Sequence, residues 1–427
     1  MIIIYRILTN LLYPFLVLLI YIRTLKQKEH QKRYKEKLFP SFFNVTRNSN
    51  SRLIWFHAAS IGEFKSILPL VYKLKTTEKN LEFLITTVTL SSSNLAYKEF
   101  EKVDNVHHRF FPLDVNFIIK KFLSLWKPSR IFLVDSEIWP NLILETKKRK
   151  IPLALLNARI TKKTFDKWKF VPFLPNKIFN SFDLCLSSNN ETSHYLKKLD
   201  AKNIYDLGNL KLVNQVNIDE IKNINESFLI KNKFWFIAST HEGEETFCLK
   251  VHFLLKKKYN KIYTIIAPRH ISRVRKIKNL CDKLNLKCQI LNENEYISEE
   301  KEIIILNSFG ILPNYFKFSK SVFIGKSLLK KKKMVSGQNP IDAANCGCKI
   351  YHGPYVYNFE EVYEILAKNN ISKQINTFQE LAENLILDFE NSDNERKKDT
   401  AIMNKLSEET LNKYINYIEK FLKNEIY

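Results

Sequence analysis

Glycine is scarce in this chain, with 8 residues among 427, whereas it makes up about 7% of an average protein. This scarcity excludes a collagen-like or glycine-rich fibrous protein. The six cysteines form no CxxC pair and no cluster with histidine, so their spacing excludes a zinc finger and indicates reduced thiols in a cytosolic protein. No RNP-like string and no basic-region heptad is present, so we do not expect a nucleic acid partner.

Positive charge, by contrast, is abundant. The chain carries 68 lysine and arginine residues against 44 aspartate and glutamate residues, a formal net charge of +24. Such an excess indicates nucleic acid, an anionic membrane or an acidic substrate as partner, although much of it is expected to be solvated surface. With 427 residues, 45% of them hydrophobic, the chain is long enough for two or three globular domains.

The N-terminal segment 2–22 is apolar and is followed by a basic flank that begins at Arg23. Its 21 residues are about the minimum that spans a bilayer, and it lacks the cleavage pattern of a signal peptide. We therefore predict a retained anchor with the body of the protein in the cytoplasm. Arg6 and Asn10 leave open a segment that lies in one leaflet, and a buried core helix is the third alternative.

One phrase occurs twice, as WFHAASIGE at 55–63 and as WFIASTHEGE at 235–244. In each copy an apolar run ends at hydroxyl residues, then a glycine and a glutamate. This order is typical of a buried parallel strand that turns into a helix. Two copies at domain spacing predict an α/β fold with two doubly wound, Rossmann-like domains facing one another across a cleft.

Short apolar runs alternate with amphipathic stretches along both halves, which predicts two parallel sheets. The predicted strands are 53–57, 83–87, 131–134, 153–156, 184–186, 234–238, 263–267, 303–306, 321–324 and 349–351. The predicted domains are an anchor with its basic flank at 1–35, a first domain at 36–213, an Asn-rich linker at 214–232, a second domain at 233–400, and a C-terminal helix at 401–427 that packs on either domain.

Polar residues follow these strands, and the two sets differ in kind. Carboxylates and hydroxyls follow the strands of the first half, which suits a neutral polyol. Arginine, lysine, hydroxyls and helix N-termini follow the strands of the second half, which favours a phosphate. A nucleotide on the second domain and an alcohol on the first would describe a glycosyltransferase.

Seven motifs occur in order: HAASIGE, DSEIWPN, NARIT, GNLK, STHEGEE, PRH and GQNPIDAA. In this order they resemble the 3-deoxy-D-manno-octulosonic acid (Kdo) transferases of lipid A and lipopolysaccharide biosynthesis. The resemblance implies a GT-B fold and a glycosyltransferase of class EC 2.4.99. It implies transfer of Kdo from CMP-Kdo to the 6'-hydroxyl of a lipid A precursor of the lipid IVA type, with inversion and with no metal or other cofactor.

By resemblance, Glu63 is the catalytic base for the acceptor hydroxyl, and Ser60 binds the acceptor. Ser60 and Glu63 also fit a capping box, which needs no catalysis. Because a helix N-terminus stabilises a carboxylate, we expect this position to lower the basicity of Glu63. Glu137 is the second catalytic carboxylate by resemblance, with a structural, hydrogen-bonded role as the alternative. Arg159 is expected to bind an acceptor phosphate or the donor carboxylate, or to pair with an acid of the sheet edge.

The donor-binding residues implied by the resemblance lie mainly in the second half. They are Lys211, Ser239, Thr240, Glu244, Pro268, Arg269, His270, Gly337, Asn339 and Asp342. Lys211 and Arg269 would neutralise the departing phosphate. The chain departs from the family pattern at Asp135, Ser136, Lys326, Gln338 and Asp342.

The expected partners are CMP-Kdo, an anionic lipid A precursor and the cytoplasmic face of the inner membrane. An apolar patch around Phe42, Phe43 and Phe64 is expected to admit acyl chains, and the lysine run 330–333 is expected to be a solvated loop. Two alternatives remain open. One is a GT-B glycosyltransferase or epimerase that uses another nucleotide sugar, such as a UDP-sugar. The other is a membrane-tethered binding protein without catalysis.

Overall fold

The computed structural model describes residues 2–43, 47, 50–78, 80–171, 173–213, 218, 220–329, 336–390 and 394–426, except the side chains of 394 and 395. Part of the predicted linker and the whole lysine run 330–333 lie outside these residues. The chain divides into two compact units. The first comprises Met1–Asn214 and Glu408–Tyr427, and the second comprises Gln215–Ser407.

The first unit alternates strands and helices after an N-terminal helix. Its elements are α1 (Ile2–Leu25), β1 (Arg52–His57), α2 (Ile61–Thr77), β2 (Leu81–Thr87), α3 (Leu90–Phe100), β3 (Val106–Phe110), α4 (Asn116–Trp126), β4 (Arg130–Val134), α5 (Pro140–Lys148), β5 (Leu153–Ala158), α6 (Lys162–Lys169), α7 (Leu174–Phe179), β6 (Leu184–Ser187), α8 (Asn190–Lys198) and β7 (Ile204–Asp206).

The second unit repeats this alternation. Its elements are α9 (Glu226–Lys231), β8 (Phe234–Thr240), α10 (Glu244–Lys258), β9 (Tyr263–Pro268), α11 (Val274–Lys283), β10 (Cys288–Leu291), β11 (Ile303–Leu306), α12 (Pro313–Phe316), β12 (Ser321–Ile324), α13 (Ile341–Asn345), β13 (Lys349–His352), α14 (Glu360–Lys368), β14 (Ser372–Gln374) and α15 (Phe378–Glu390). The long helix α16 (Asn394–Leu422) begins in the second unit and ends in the first.

Each unit contains one seven-stranded sheet, and neighbouring strands pair in parallel. The strand order is β3-β2-β1-β4-β5-β6-β7 in the first unit and β10-β11-β9-β8-β12-β13-β14 in the second. The direction of winding reverses between β1 and β4, and again between β8 and β12. Ligands of doubly wound proteins bind outside the carboxyl ends of the strands at such switch points. The predicted α/β, doubly wound class is confirmed.

Helix α1 packs on the first unit along one polar stripe. Tyr5 Oη donates to Asp114 Oδ2 at 2.9 Å, Asn141 Nδ2 donates to Thr9 Oγ1 at 3.3 Å, and Tyr13 Oη donates to the Leu38 carbonyl at 2.9 Å. These three α1 residues are spaced four apart, so they lie on one helical face. Many of the other α1 side chains, from Ile3 to Leu25, are apolar and exposed.

The predicted aromatic patch is wrong at two of its three positions. Phe43 is 4% exposed and Phe64 is fully buried, while Phe42 is 40% exposed. Phe64 lies on the face of α2 that covers the sheet, and Phe43 packs edge-on against Phe122 of α4. Both rings therefore belong to the cores on either side of this sheet.

Candidate functional site

At the switch point of the first unit, Glu63 lies at the start of α2. The Ser60 side chain caps this helix by accepting from the Glu63 N–H. In return Glu63 Oε2 accepts from the Ala59 N–H at 2.8 Å, and Glu63 Oε1 accepts from Ser60 Oγ at 2.7 Å. The predicted capping box is therefore present, and it holds the carboxylate at the carboxyl edge of the sheet.

The surroundings of Glu63 raise its pKa above the ordinary value for glutamate. The largest cause is burial, followed by the negative charge of Asp135, with a smaller contribution from Glu137. The hydrogen bonds from Ser60 and Ala59 act in the opposite direction. The expectation that the helix N-terminus makes Glu63 less basic is wrong, because burial and the two neighbouring carboxylates outweigh it.

Asp135 follows β4 and is paired with Lys211. Its backbone has φ of 61°, a left-handed conformation uncommon outside glycine, asparagine and aspartate. Lys211 Nζ donates to Asp135 Oδ2 at 2.6 Å, and the two side chains are 16% and 11% exposed. Asn157 Oδ1 accepts from the Leu210 N–H and so fixes the GNLK segment beside the acids. Lys211, which the resemblance assigns to donor binding, is thus ion-paired with Asp135, an acid of the first unit.

Arg159 also lies at this edge, joined to the β4 loop through its backbone. Its N–H donates to the Asp135 carbonyl at 3.3 Å, and its carbonyl accepts from Ser136 Oγ at 2.9 Å. The residues after β1, β4 and β5 that were singled out from the sequence therefore meet at one edge, together with Lys211.

Glu137 is held by the side chains of His57 and Trp139, two partners that were not predicted from the sequence. Glu137 Oε2 lies 3.2 Å from His57 Nε2 and accepts from Trp139 Nε1 at 2.8 Å. His57 is fully buried and its ring stacks on Phe111, with centroids 3.8 Å apart. The Glu137 side chain is 18% exposed and faces the edge where Glu63 lies.

Sequence reasoning also missed Asp114. Its carboxylate accepts from the N–H groups of Asn141 and Leu142 at 3.0 and 2.9 Å, and so fixes the start of α5 behind Glu137. Burial raises the pKa of Asp114 to about 6. Asp114 follows the edge strand β3, and no apolar run in the sequence marks that strand.

The switch point of the second unit is held together by Glu244. Its buried carboxylate accepts from four backbone N–H groups, at distances from 2.6 to 3.1 Å. The donors are His241, Lys326, Ser327 and Leu328. Both oxygens are therefore engaged in joining the loop after β8 to the loop after β12. Gly325 lies at this junction, where a Cβ atom would be 2.7 Å from the Ser239 carbonyl.

The other predicted donor residues of the second unit surround this junction. Ser239 has φ of 60°, and the buried Thr240 Oγ1 has no hydrogen-bond partner among the described residues. The loop after β9 is tied to β8 because the Arg269 N–H donates to the Thr240 carbonyl at 3.1 Å. Pro268 ends β9, while Arg269 and His270 are exposed.

The GQNPIDAA segment follows β12 on the same edge. The Gly337 N–H donates to the Lys326 carbonyl at 2.7 Å, with φ of 90° and a Cβ position only 2.9 Å from Val356 Cα, so glycine is required there. Asn339 is exposed and its Oδ1 accepts from the Ile341 N–H at 3.0 Å. Asp342 is partly exposed in the first turn of α13.

A metal centre was not predicted from the sequence. Within the parts of the chain that the structure describes, no group of three or more His, Cys, Asp or Glu side chains is placed to hold a metal ion.

Comparison with known proteins supplies the family. Residues 30–214 match the family described as 3-deoxy-D-manno-octulosonic-acid transferase. The 3-deoxy-D-manno-octulosonic acid transferase of Rickettsia bellii is 29% identical over 98% of this chain and 99% of its own length. The enzyme of that name from Rickettsia typhi is 30% identical over 89% and 82%. The fold resembles a UDP-N-acetylglucosamine 2-epimerase from Neisseria meningitidis, with a TM-score of 0.58, 14% identity, and coverage of 88% and 100%.

Proposed function

The chain belongs to the 3-deoxy-D-manno-octulosonic acid (Kdo) transferases, and on this premise we propose that it moves Kdo from CMP-Kdo to the 6'-hydroxyl of a lipid A precursor. The observation that carries the proposal is Glu63. It is a carboxylate at a switch point whose pKa is raised by burial and by Asp135, as suits a base that must accept a proton.

We propose that the reaction is a single displacement. The acceptor oxygen forms a bond to the anomeric carbon of Kdo while the bond from that carbon to the CMP phosphate breaks. The electron pair of the broken bond leaves with CMP, and the hydroxyl proton passes to the Glu63 carboxylate. Attack from the face opposite the leaving group inverts the configuration.

The first unit would orient the acceptor. Ser60, Glu63, Glu137 and Arg159 come from the loops after β1, β4 and β5 and offer hydroxyl, carboxylate and guanidinium groups to a sugar hydroxyl and a phosphate. The Lys211 ammonium on Asp135 offsets part of the negative charge that the three carboxylates bring together.

The second unit would bind the nucleotide sugar. Glu244 holds the loops after β8 and β12, and the exposed guanidinium of Arg269 is available to the donor. The Thr240 hydroxyl is buried beside them and has no hydrogen-bond partner among the described residues. Arg269 would stabilise the negative charge of CMP as it leaves. Gly337, Asn339 and Asp342 would line the ribose side by resemblance to the family.

We further propose that the enzyme works on the cytoplasmic face of the inner membrane, with α1 in one leaflet. By length and apolar composition this helix is able to cross a membrane, with mean hydropathy 1.9. However, Tyr5, Thr9 and Tyr13 attach its N-terminal half to the first unit, which a helix crossing to the far side would not allow. Beside Ile2 a cavity of about 610 Å³ is lined by five cations, suited to anionic headgroups: Arg6, Lys147, Lys148, Lys177 and Lys202.

A transfer assay with a matched capping-box control tests the role of Glu63. In Glu63→Gln we expect Kdo transfer to a tetraacylated lipid A precursor to fall by about 10²-fold or more, with CMP binding retained. The control is Glu380→Gln in the second unit. Glu380 accepts from the Asn376 N–H at 2.9 Å and donates its own N–H to Thr377 Oγ1 at 3.1 Å, the pattern found at Glu63.

Removing either cap costs about 1 kcal/mol of stability. A difference in transfer activity between the two variants therefore reports a role of Glu63 in the reaction. Equal activity losses in both would reduce Glu63 to a capping residue. A wild-type protein that is inert with CMP-Kdo but binds UDP would instead point to the UDP-sugar alternative.

A further inference from the structure

A buried chain of hydrogen bonds runs from the core of the first unit to Glu137. Trp55 Nε1 donates to Thr86 Oγ1 at 2.9 Å, and Thr86 Oγ1 lies 3.0 Å from His57 Nδ1. His57 Nε2 in turn lies 3.2 Å from Glu137 Oε2. Trp55, His57 and Thr86 are fully buried, so water does not compete for these groups.

The groups in this chain fix which nitrogen of His57 carries the proton. An ionised carboxylate only accepts hydrogen bonds, so His57 Nε2 must donate to Glu137. On the other side of the ring, Nδ1 lies 3.0 Å from Thr86 Oγ1 and 3.2 Å from the Thr86 carbonyl, so Thr86 holds this edge of the imidazole in place. Stacking on Phe111 keeps the ring from turning.

The same four residue types form the same chain in the second unit. Trp235 Nε1 donates to Thr264 Oγ1 at 2.7 Å, His252 Nδ1 lies 2.8 Å from that oxygen, and His252 Nε2 lies 3.2 Å from Glu302 Oε2. Thr264 is near the amino end of β9 and Glu302 directly precedes β11. This second chain therefore lies at the edge of the sheet opposite the predicted ligand site.

Glu137 and Glu302 differ in which of their carboxylate oxygens accept hydrogen bonds. Glu302 is fully engaged, since Oε1 accepts from the Lys287 N–H at 3.0 Å while Oε2 contacts His252 and Lys256. In Glu137, His57 and Trp139 both bind Oε2, and Oε1 has no partner among the described residues. Only the glutamate next to Glu63 presents an open oxygen on a fixed carboxylate.

We infer that His57 is a positioning residue for the transfer reaction, whose Nε2–H holds Glu137 so that Oε1 accepts a hydrogen bond from the acceptor sugar beside Glu63. This inference rests on the proposed function. His57 does not touch the reacting atoms, and its effect passes through Glu137. Fixing that carboxylate orients the acceptor hydroxyl before the displacement begins.

Two replacements of His57 separate hydrogen bonding from packing. His57→Gln places an amide N–H near the position of Nε2, whereas His57→Asn ends near Nδ1 and cannot reach Glu137. We expect His57→Asn to lower kcat roughly 10- to 100-fold, as losing a supporting hydrogen bond does at other sites. We expect His57→Gln to recover most of that loss, and the KM for CMP-Kdo to stay unchanged in both.

The second unit supplies the matched control. His252→Asn and His252→Gln break the same kind of chain at the opposite edge, so they should lower the melting temperature as the His57 variants do and leave kcat unchanged. If His57→Asn does not fold, Trp139→Phe carries the test, because it removes the other N–H donor to Glu137 Oε2 and should lower kcat in the same way.

Each outcome decides the inference. Equal kcat for His57→Asn and His252→Asn, or equal losses in His57→Asn and His57→Gln, would overturn it while Glu63 remained the base. A wild-type protein unable to transfer Kdo from CMP-Kdo would overturn the proposed function and this inference together. If kcat falls in His57→Asn but not in Glu63→Gln, the positioning role of His57 stands and the assignment of Glu63 as the base is wrong.

Discussion

At the scale of single residues, strand ends were predictable from the sequence and their partners were not. Glu63, Glu137 and Arg159 follow apolar runs, and parallel pairing brings such positions to one edge. The ion pair between Lys211 and Asp135 joins residues 76 positions apart, and no local pattern encodes it. The direction of the Glu63 pKa shift was predicted wrongly for the same reason, because burial is a tertiary property.

The raised pKa of Glu63 predicts how the pH profile responds to loss of Asp135. A base works when ionised, so kcat/KM falls as pH falls through its pKa, which here lies above that of ordinary glutamate. Asp135→Asn removes the second-largest cause of the shift and leaves the Lys211 charge uncompensated, and both changes lower the pKa of Glu63. The acidic limb of kcat/KM should therefore move to lower pH.

Asp206→Asn is the control for this profile, since Asp206 is exposed at the end of β7 and its carboxylate accepts from the nearby Gly208 N–H. It should leave the acidic limb in place. An upward movement of the limb in Asp135→Asn, or the same movement in both variants, would contradict the assignment of Glu63 as the titrating base.

At the scale of elements, the sequence predicted the ten inner strands and missed all four edge strands. The missed strands are β3, β7, β10 and β14. Inner strands such as β2 are buried at every position, whereas β3 alternates between buried and partly exposed residues, and two of the three residues of β14 are exposed. An edge strand in a parallel sheet lacks the continuous apolar run that identifies its neighbours.

The docking of α1 predicts which side of the membrane its first residues occupy. Ile3 is 73% exposed on the apolar face. With α1 in one leaflet, the cysteine of Ile3→Cys should stay unlabelled when a membrane-impermeant maleimide is added outside intact spheroplasts, and become labelled after detergent is added. The parent chain, with its six native cysteines, gives the background. Labelling of intact spheroplasts above that background would show a helix that crosses the membrane.

At the scale of the whole molecule, the two units are built alike. Both place a tryptophan-bearing strand at the switch point of a seven-stranded sheet, and both have a glutamate in the first turn of the following helix whose carboxylate accepts from backbone N–H. The repeated phrase in the sequence predicted this symmetry. It did not show that the Glu244 carboxylate accepts four backbone hydrogen bonds, because three of the four donors come from a loop more than 80 residues away.

The C-terminal part of α16 is predicted to be essential to the first unit. Tyr414, Ile418, Phe421 and Leu422 are buried in the core of that unit, and burying a large apolar side chain contributes about 1.5–3 kcal/mol. Their sum is comparable with the whole stability of a domain, about 5–15 kcal/mol. Deleting 408–427 should therefore remove amide-exchange protection from β1 while β8 keeps its own.

Tyr414→Phe is the mild control for the deletion. It removes the hydrogen bond from Tyr414 Oη to the Gly208 carbonyl, worth about 1 kcal/mol, keeps the buried ring, and should leave β1 protected. Retained protection of β1 in the deletion variant would show that the first unit folds without these residues.

The position of α16 at the end of the chain also affects the order in which the two units can finish folding. The ribosome releases α1 first and residues 408–427 after the entire second unit, yet those late residues complete the core of the first. The second unit can thus finish folding during translation, whereas the first must wait with its apolar helix already exposed. Capture of that helix by the lipid surface during this interval would hold the nascent chain at the membrane before its catalytic edge has formed.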